Sequence, residues 1–273
     1  MQIAGAILPR KGQRVRVSDS RSIWLYPPSG ASPGLRPLLF WIHGGGLVFG
    51  HPVQEDAFCH EVATRLGIIV AAPDYRFAPA HPYPAALDDV HAALGTILER
   101  PEVDAEQFVI GGDSAGGGLA ACLAIRLRDE GGPRPCLQLL HEPMLDEATR
   151  FRADPDPNSL RIWSANANRL SWNGYLAGIG ASIPATASAA RVETVTGLPP
   201  AWIGVGTADL FWPESQAYAS RLKAGGVPVT LDIVDRAHHG FLTTEPKAAV
   251  SQLYRERMIA AIKSGLGLSS VPR

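Results

Sequence analysis

Two glycine-rich turns carry the chemistry open to this 273-residue chain. His43-Gly44-Gly45-Gly46 follows the apolar run Pro37–Ile42, and Gly112-Asp113-Ser114-Ala115-Gly116 follows Phe108–Ile110. The second turn fits G-x-S-x-G, a strand-to-helix turn tight enough to lift a serine hydroxyl clear of a sheet. A glycine loop like the first is a recurrent source of oxyanion donors beside it. Together, each at the end of a buried strand, they imply acyl transfer by a serine nucleophile.

A serine hydroxyl is a weak nucleophile near neutral pH and needs a base that is itself oriented by a third group. On this type of turn the chain order is serine, acid, histidine. Downstream of Ser114, Gly206-Thr-Ala-Asp209 follows the run Trp202–Val205, and Asp235-Arg-Ala-His238-His239-Gly-Phe241 follows Leu231–Val234. Asp209 and one of the two histidines therefore complete the order. Composition and spacing do not choose between His238 and His239. Asp209 also fits as an N-cap ahead of Leu210–Leu222.

Acyl transfer builds negative charge on the carbonyl oxygen, where each preorganised N–H contributes about 3 kcal/mol. The expected donors are the backbone N–H groups of Gly44, Gly45 and Ala115, and a helix starting at Ala115 points its positive end at the nucleophile. His43 is expected to tether the glycine loop, and Asp113 to hydrogen-bond locally. Leu47, Asp113, Trp172, Tyr175, Phe211 and Phe241 are the candidate lining of a substrate pocket.

The elements that must position these residues alternate. Leu38–Ile42, Ile68–Ala72, Gln107–Ile110, Cys136–Leu140, Ala201–Val205 and Val229–Val234 are short apolar runs bounded by Gly, Pro or charge, and read as buried parallel strands. Helical stretches lie between them: Asp56–Leu66, Ala85–Leu98, Ala115–Glu130, Glu214–Lys223 and Ala248–Ile262. Ahead of them, Arg14–Val17 and Ile23–Tyr26 alternate like an antiparallel pair. The whole implies a mostly parallel sheet with helices on both faces, whose ligands bind beyond the strand C-termini. Residues 146–197 break the alternation with polar, Pro-, Ala- and Asn-rich sequence around Trp163, Trp172 and Tyr175. They read as a cap-like helical insertion, against the plainer reading of a peripheral hairpin with inward tryptophans.

The bulk numbers exclude several partners. Net charge is −1 with 19% charged residues and no basic stripe, which disfavours nucleic acid. No apolar run approaches the roughly 20 residues that span a bilayer. The first ten residues lack the order of a secretory signal, so the mature protein is expected to start at Met1. Three cysteines without metal-ligand spacing fit reduced thiols in a cytoplasmic protein. No H-E-x-x-H or C-x-x-C occurs, and no G-x-G-x-x-G opens a first βα turn, so neither metal nor dinucleotide is expected. The apolar last strand, Val229–Val234, could pair across a two-fold to give a homodimer.

At these residues the chain resembles the hormone-sensitive-lipase-like bacterial esterases. The matching blocks are His43–Gly46, Asp74-Tyr-Arg-Phe-Ala-Pro-Ala-His-Pro-Tyr-Pro84, Gly112-Asp-Ser-Ala-Gly-Gly117, Glu142-Pro-Met-Leu-Asp146, Gly204-Val-Gly-Thr-Ala-Asp-Leu-Phe211 and His239-Gly-Phe241. The resemblance implies an α/β-hydrolase fold with an eight-stranded, mostly parallel sheet. It also implies ester hydrolysis without a cofactor through Ser114, Asp209 and His239, with a preference for short acyl chains. It favours His239 over His238.

Three departures stand out. The family's N-terminal cap arm is expected to be shortened or absent, because only 42 residues precede His43. That leaves a reduced cap in residues 146–197, a core of 1–145 and 198–273, and a more open site. Ala80 stands where the family has glutamate, and Pro213 where it has an acid, which puts local loop stability in question. The alternatives are an amidase or deacetylase on the same triad, a hydrolase of bulky aromatic esters, and a non-catalytic receptor on the same fold. A lipase acting at an interface fits poorly with so polar an insertion.

Overall fold

The computed structural model describes residues 11–17, 21–30, 34–153, 162–180 and 182–268. Eight strands form one sheet: β1 (Gln13–Arg16), β2 (Ser22–Tyr26), β3 (Arg36–Ile42), β4 (Ile69–Pro73), β5 (Val103–Asp113), β6 (Leu137–His141), β7 (Ala201–Gly206) and β8 (Val229–Val234). Their spatial order is β1-β2-β4-β3-β5-β6-β7-β8. β3 to β8 run parallel, while β2 is antiparallel to both β1 and β4. β3, β4, β6 and β7 are buried over most or all of their length, as apolar runs covered on both faces must be. β8 forms one edge of the sheet.

Helices cover both faces. On one, α1 (Asp56–Leu66) buries Cys59, Val62 and Ala63, and α7 (Ala249–Gly265) buries Tyr254, Met258, Ile259 and Ile262. On the other, α2 (Ala85–Leu98) presents Leu87, Val90, Leu94 and Ile97 at helical spacing. α3 (Ala115–Glu130) is buried along most of its length behind the sheet centre, and α5 (Trp212–Ala224) adds Tyr218 and Leu222. A four-residue helix, α6 (Phe241–Thr244), starts after Gly240 at φ +76.

The sequence reading stops β5 at Ile110, but the strand runs on to Asp113 and begins at Val103. After buried Val103 its first residues, 104–106, are mostly polar and partly exposed, so apolar counting misses them. Its end is Gly111-Gly112, and a Cβ on Gly111 would sit 2.6 Å from the Leu139 carbonyl of β6. Two glycines therefore hide a buried strand end. α5 begins two residues earlier than expected, at Trp212, because Pro213 fits a first helical turn.

Within residues 146–197 the described part holds a 3-10 turn at Glu147–Phe151, the helix α4 (Ala165–Tyr175) and a second 3-10 turn at Ala189–Arg191. Ser164 caps α4 by accepting the Ala167 N–H at 3.1 Å. Residues 154–161 and 181 of this expected insertion lie outside the described residues, as do residues 1–10 ahead of β1. Cys59, Cys122 and Cys136 are unpaired thiols. Among the described residues no helix is long and apolar enough to cross a membrane.

Candidate active site

Ser114 stands between β5 and α3 at φ +53, ψ −116, a conformation that costs any residue with a Cβ. The surroundings hold it there. Its N–H donates to the His141 carbonyl at 2.8 Å, and its carbonyl accepts the Met144 N–H at 3.0 Å. The flanking glycines are obligatory: a Cβ on Gly116 would lie 2.0 Å from the Ile42 carbonyl, and one on Gly112 would lie 2.4 Å from the Gly116 backbone.

The structure brings His239 to this serine and turns His238 elsewhere. His239 Nε2 is 3.0 Å from Ser114 Oγ, and Nδ1 is 2.8 Å from Asp209 Oδ2. His238 Nε2 is instead 2.9 Å from Thr244 Oγ1. With Asp209 ionised, Nδ1–H donates to it, and Nε2 is left to accept the serine proton. Asp209 serves its helix as well, because Oδ1 accepts the Phe211 N–H at 2.8 Å just ahead of α5. The edge of the Phe211 ring meets the imidazole at 5.1 Å between centroids, which fixes the ring plane.

Burial alone would lower the pKa of His239. The charge and hydrogen bond of Asp209, with Glu142 and Asp113 nearby, outweigh that and hold it above its ordinary 6.5. Burial lifts Asp113 to about 6 and drops the neighbouring His141 to about 3, so His141 is neutral.

The glycine loop is built for close approach. Gly45 has φ +114, and a Cβ there would lie 2.0 Å from the Phe49 carbonyl. The Gly45 carbonyl accepts the N–H groups of Val48 and Phe49, which folds the loop back on itself. Among the described residues the N–H groups of Gly44 and Gly45 donate to no protein acceptor. Ala115 opens α3, where a backbone N–H has no intrahelical partner. His43 does tether the loop. Its Nδ1–H donates to the Gly44 carbonyl at 2.7 Å, and its ring stacks on Tyr75 at 4.4 Å. Tyr75 in turn donates its hydroxyl proton to the His43 carbonyl at 2.9 Å. Burial drops His43 to about 4, so it stays neutral.

A cleft of about 490 Å³ opens at Ser114, Gly44, Gly45 and His239. Its walls are Trp41, Phe49, Phe58, Trp163, Leu242 and Met258, with Glu55 and Asp113 among them. Glu55 Oε2 accepts the Trp41 indole N–H at 3.0 Å, and burial pushes its carboxyl up to about 8.

Of the six expected pocket residues only Asp113 lines this cleft. Leu47, Trp172, Tyr175, Phe211 and Phe241 are buried in the core instead. Trp172 packs on Tyr175, and Phe241 packs on Tyr254 at 5.1 Å. Proximity to a motif in sequence does not say which side of the backbone faces the substrate, and large apolar groups gain more by packing inward. The walls that were missed come from the end of β3, from α1, from the segment around Trp163 and from α6 and α7. Only Trp163 had a signal, as part of the aromatic cluster of the insertion.

The loop question raised by Pro213 has an answer one residue later. Buried Glu214 accepts the Leu145 N–H at 2.6 Å and also bonds Thr149 Oγ1, tying α5 to the Met144–Asp146 segment. Near Ala80, Arg76 pairs with Asp89 at 2.8 Å and holds the strand-to-α2 connection. Glu142, Asp209 and His239 lie close together, with Glu142 Oε2 bonded by the Gly240 N–H, Asp209 Oδ1 by the Phe211 N–H and Asp209 Oδ2 by the imidazole.

Comparison with known proteins gives a consistent picture. The profile of a family described as having the α/β-hydrolase fold matches residues 39–243. The chain is 34% identical over 223 residues to esterase LipI of Mycobacterium tuberculosis, covering 80% of this chain and 69% of that protein. It is 33% identical over 240 residues to carboxylesterase NlhH of the same species, covering 84% and 74% of the two. Among solved structures, a bacterial heroin esterase matches with a TM-score of 0.84 at 34% identity, over 90% of this chain and 80% of that one.

Proposed function

This chain belongs to the hormone-sensitive-lipase-like carboxylesterases of the α/β-hydrolase fold, and we propose that it cleaves small carboxylic esters through an acyl-enzyme on Ser114. The observation that carries the mechanism is the unbroken relay Asp209 Oδ2, His239 Nδ1, His239 Nε2, Ser114 Oγ at 2.8 and 3.0 Å.

Ser114 Oγ attacks the ester carbonyl carbon while His239 Nε2 takes the hydroxyl proton. Asp209 keeps Nδ1 protonated and stabilises the imidazolium. The oxyanion is received by the N–H groups of Gly44, Gly45 and Ala115, which have no acceptor among the described residues and are held by packed backbone. Collapse of the tetrahedral intermediate expels the alcohol, which receives the proton from Nε2. Water then attacks the acyl-enzyme by the same route and releases the acid and free Ser114.

In this reading residues 1–145 and 198–273 form the catalytic core. Residues 146–197 act as a cap-like segment that reaches the cleft through Ile162 and Trp163. The aromatic walls favour short-chain and small aromatic acyl esters. Replacement of Ser114 by alanine is expected to lower kcat on a short p-nitrophenyl ester by about 10⁴ or more. Near wild-type turnover by that variant would overturn the mechanism. A panel of linear and aromatic acyl esters tests the substrate reading, which fails if the aromatic esters are excluded.

A further inference from the structure

Behind the imidazole of His239 stands a second acid. Glu142 follows β6 directly, is fully buried, and has φ +43, a strained conformation for a non-glycine residue. Its N–H donates to the Gly204 carbonyl at 2.8 Å, which holds it against β7. Its Oε2 accepts the Gly240 N–H at 2.7 Å and lies 3.7 Å from His239 Nδ1. Its Oε1 is buried without a hydrogen-bond partner among the described residues.

A desolvated and half-satisfied carboxyl on a strained backbone is costly, and such costs concentrate at working sites. The hydrogen bond reaches the peptide immediately after His239, so it holds the main chain from which the imidazole hangs. The other groups around the pair are Asp209 after β7, Asp113 at the end of β5, and His141 of β6, whose Nε2 is 3.9 Å from Glu142 Oε2. From α7, Tyr254 bonds His141 Nδ1 at 2.9 Å, and Arg255 lies beyond it.

We propose that Glu142 is a positioning residue for His239, pinning its backbone through Gly240 and flanking the imidazolium with a second carboxylate beside Asp209. This rests on the reading of Ser114, His239 and Asp209 as the reacting chain. When His239 takes the serine proton, the new cation faces two acids instead of one. Burial pushes the Glu142 carboxyl well above the ordinary carboxylate range against the pull of His239, and the two groups titrate together. Where Glu142 is ionised, its charge 3.7 Å from Nδ1 stabilises the imidazolium and moves the acid limb of activity to higher pH.

Glu142→Ala, Glu142→Gln and Ser114→Ala test this by kcat, KM and the pH profile of kcat/KM on a short p-nitrophenyl ester. Glu142→Ala should lower kcat by about 10- to 100-fold with KM changed less than about 3-fold, as misplacement of a reacting group does. Glu142→Gln keeps an acceptor for Gly240. It should return kcat to within about 3-fold at alkaline pH and move the acid limb down by about half a unit or more. A wild-type limb in Glu142→Gln, or wild-type kcat in Glu142→Ala, overturns the proposal. Equal loss in both variants with an unmoved limb and a lowered Tm marks a purely structural residue and also overturns it. Retained activity in Ser114→Ala would strike the parent mechanism instead.

Discussion

The reacting end of the cleft and its walls are held in different ways. Ser114, Gly45 and His239 sit on backbone that neighbouring backbone locks in place, with carbonyls 2.0 Å from where a Cβ on Gly45 or Gly116 would go. The walls are side chains from separate segments, and one of them, Phe49, is 52% exposed. In the proposed mechanism rigid main chain sets the geometry of bond making, while adjustable side chains meet the substrate. Changes at the first end should therefore appear in kcat, and changes at the second in the ratio between substrates.

The sharpest way to break this division is the histidine pair. His239→Ala should lower kcat by about 10³ or more. His238→Ala, whose ring pairs with Thr244, should stay within about 3-fold. Comparable losses in both would dissolve the assignment. Next in size, Gly45→Ala should cost about 10² in kcat by dislodging an oxyanion donor, and unchanged kcat would remove the loop from the chemistry.

The pH profile comes third. His239 must be neutral to act as base, and the acids around it raise its pKa, so activity should fall as pH drops through a limb above 6.5. A limb below that value would contradict the charge environment. At the walls, Trp163→Ala should shift the ratio of kcat/KM between an aromatic and an acetyl ester by about 10-fold, the scale set by a hydrophobic contact, with kcat on acetate little changed. The smallest kinetic effect belongs to Trp172→Ala. It should cost about 3–5 kcal/mol of stability, read as a lower Tm, while the folded enzyme keeps its kinetic constants. A change in substrate ratio there would place Trp172 in the site after all.

Much of this was legible in the chain. The helices Asp56–Leu66, Ala85–Leu98 and Ala115–Glu130 have the ends read from the sequence, the first two because each buries one apolar face and the third because an apolar run is buried along most of its length. The approach of Ser114, Asp209 and His239 was anticipated because each follows the C-terminal end of a parallel strand, β5, β7 and β8. The walls were not, because Phe58, Met258 and Leu242 converge only through tertiary packing and carry no local pattern. Glu142 was visible as an acid before a proline at the end of β6, but its contact with Gly240 spans 98 residues and has no signature in sequence.

The most direct test of the central claim is to phosphorylate the nucleophile with a dialkyl p-nitrophenyl phosphate, which loses p-nitrophenol to leave a stable analogue of the acyl-enzyme, and map the adduct by mass spectrometry. The mechanism predicts one dialkylphosphoryl group per chain on Ser114, complete loss of esterase activity, and no adduct in Ser114→Ala. Inactivation with the label on another residue, or full activity with Ser114 modified, would contradict it.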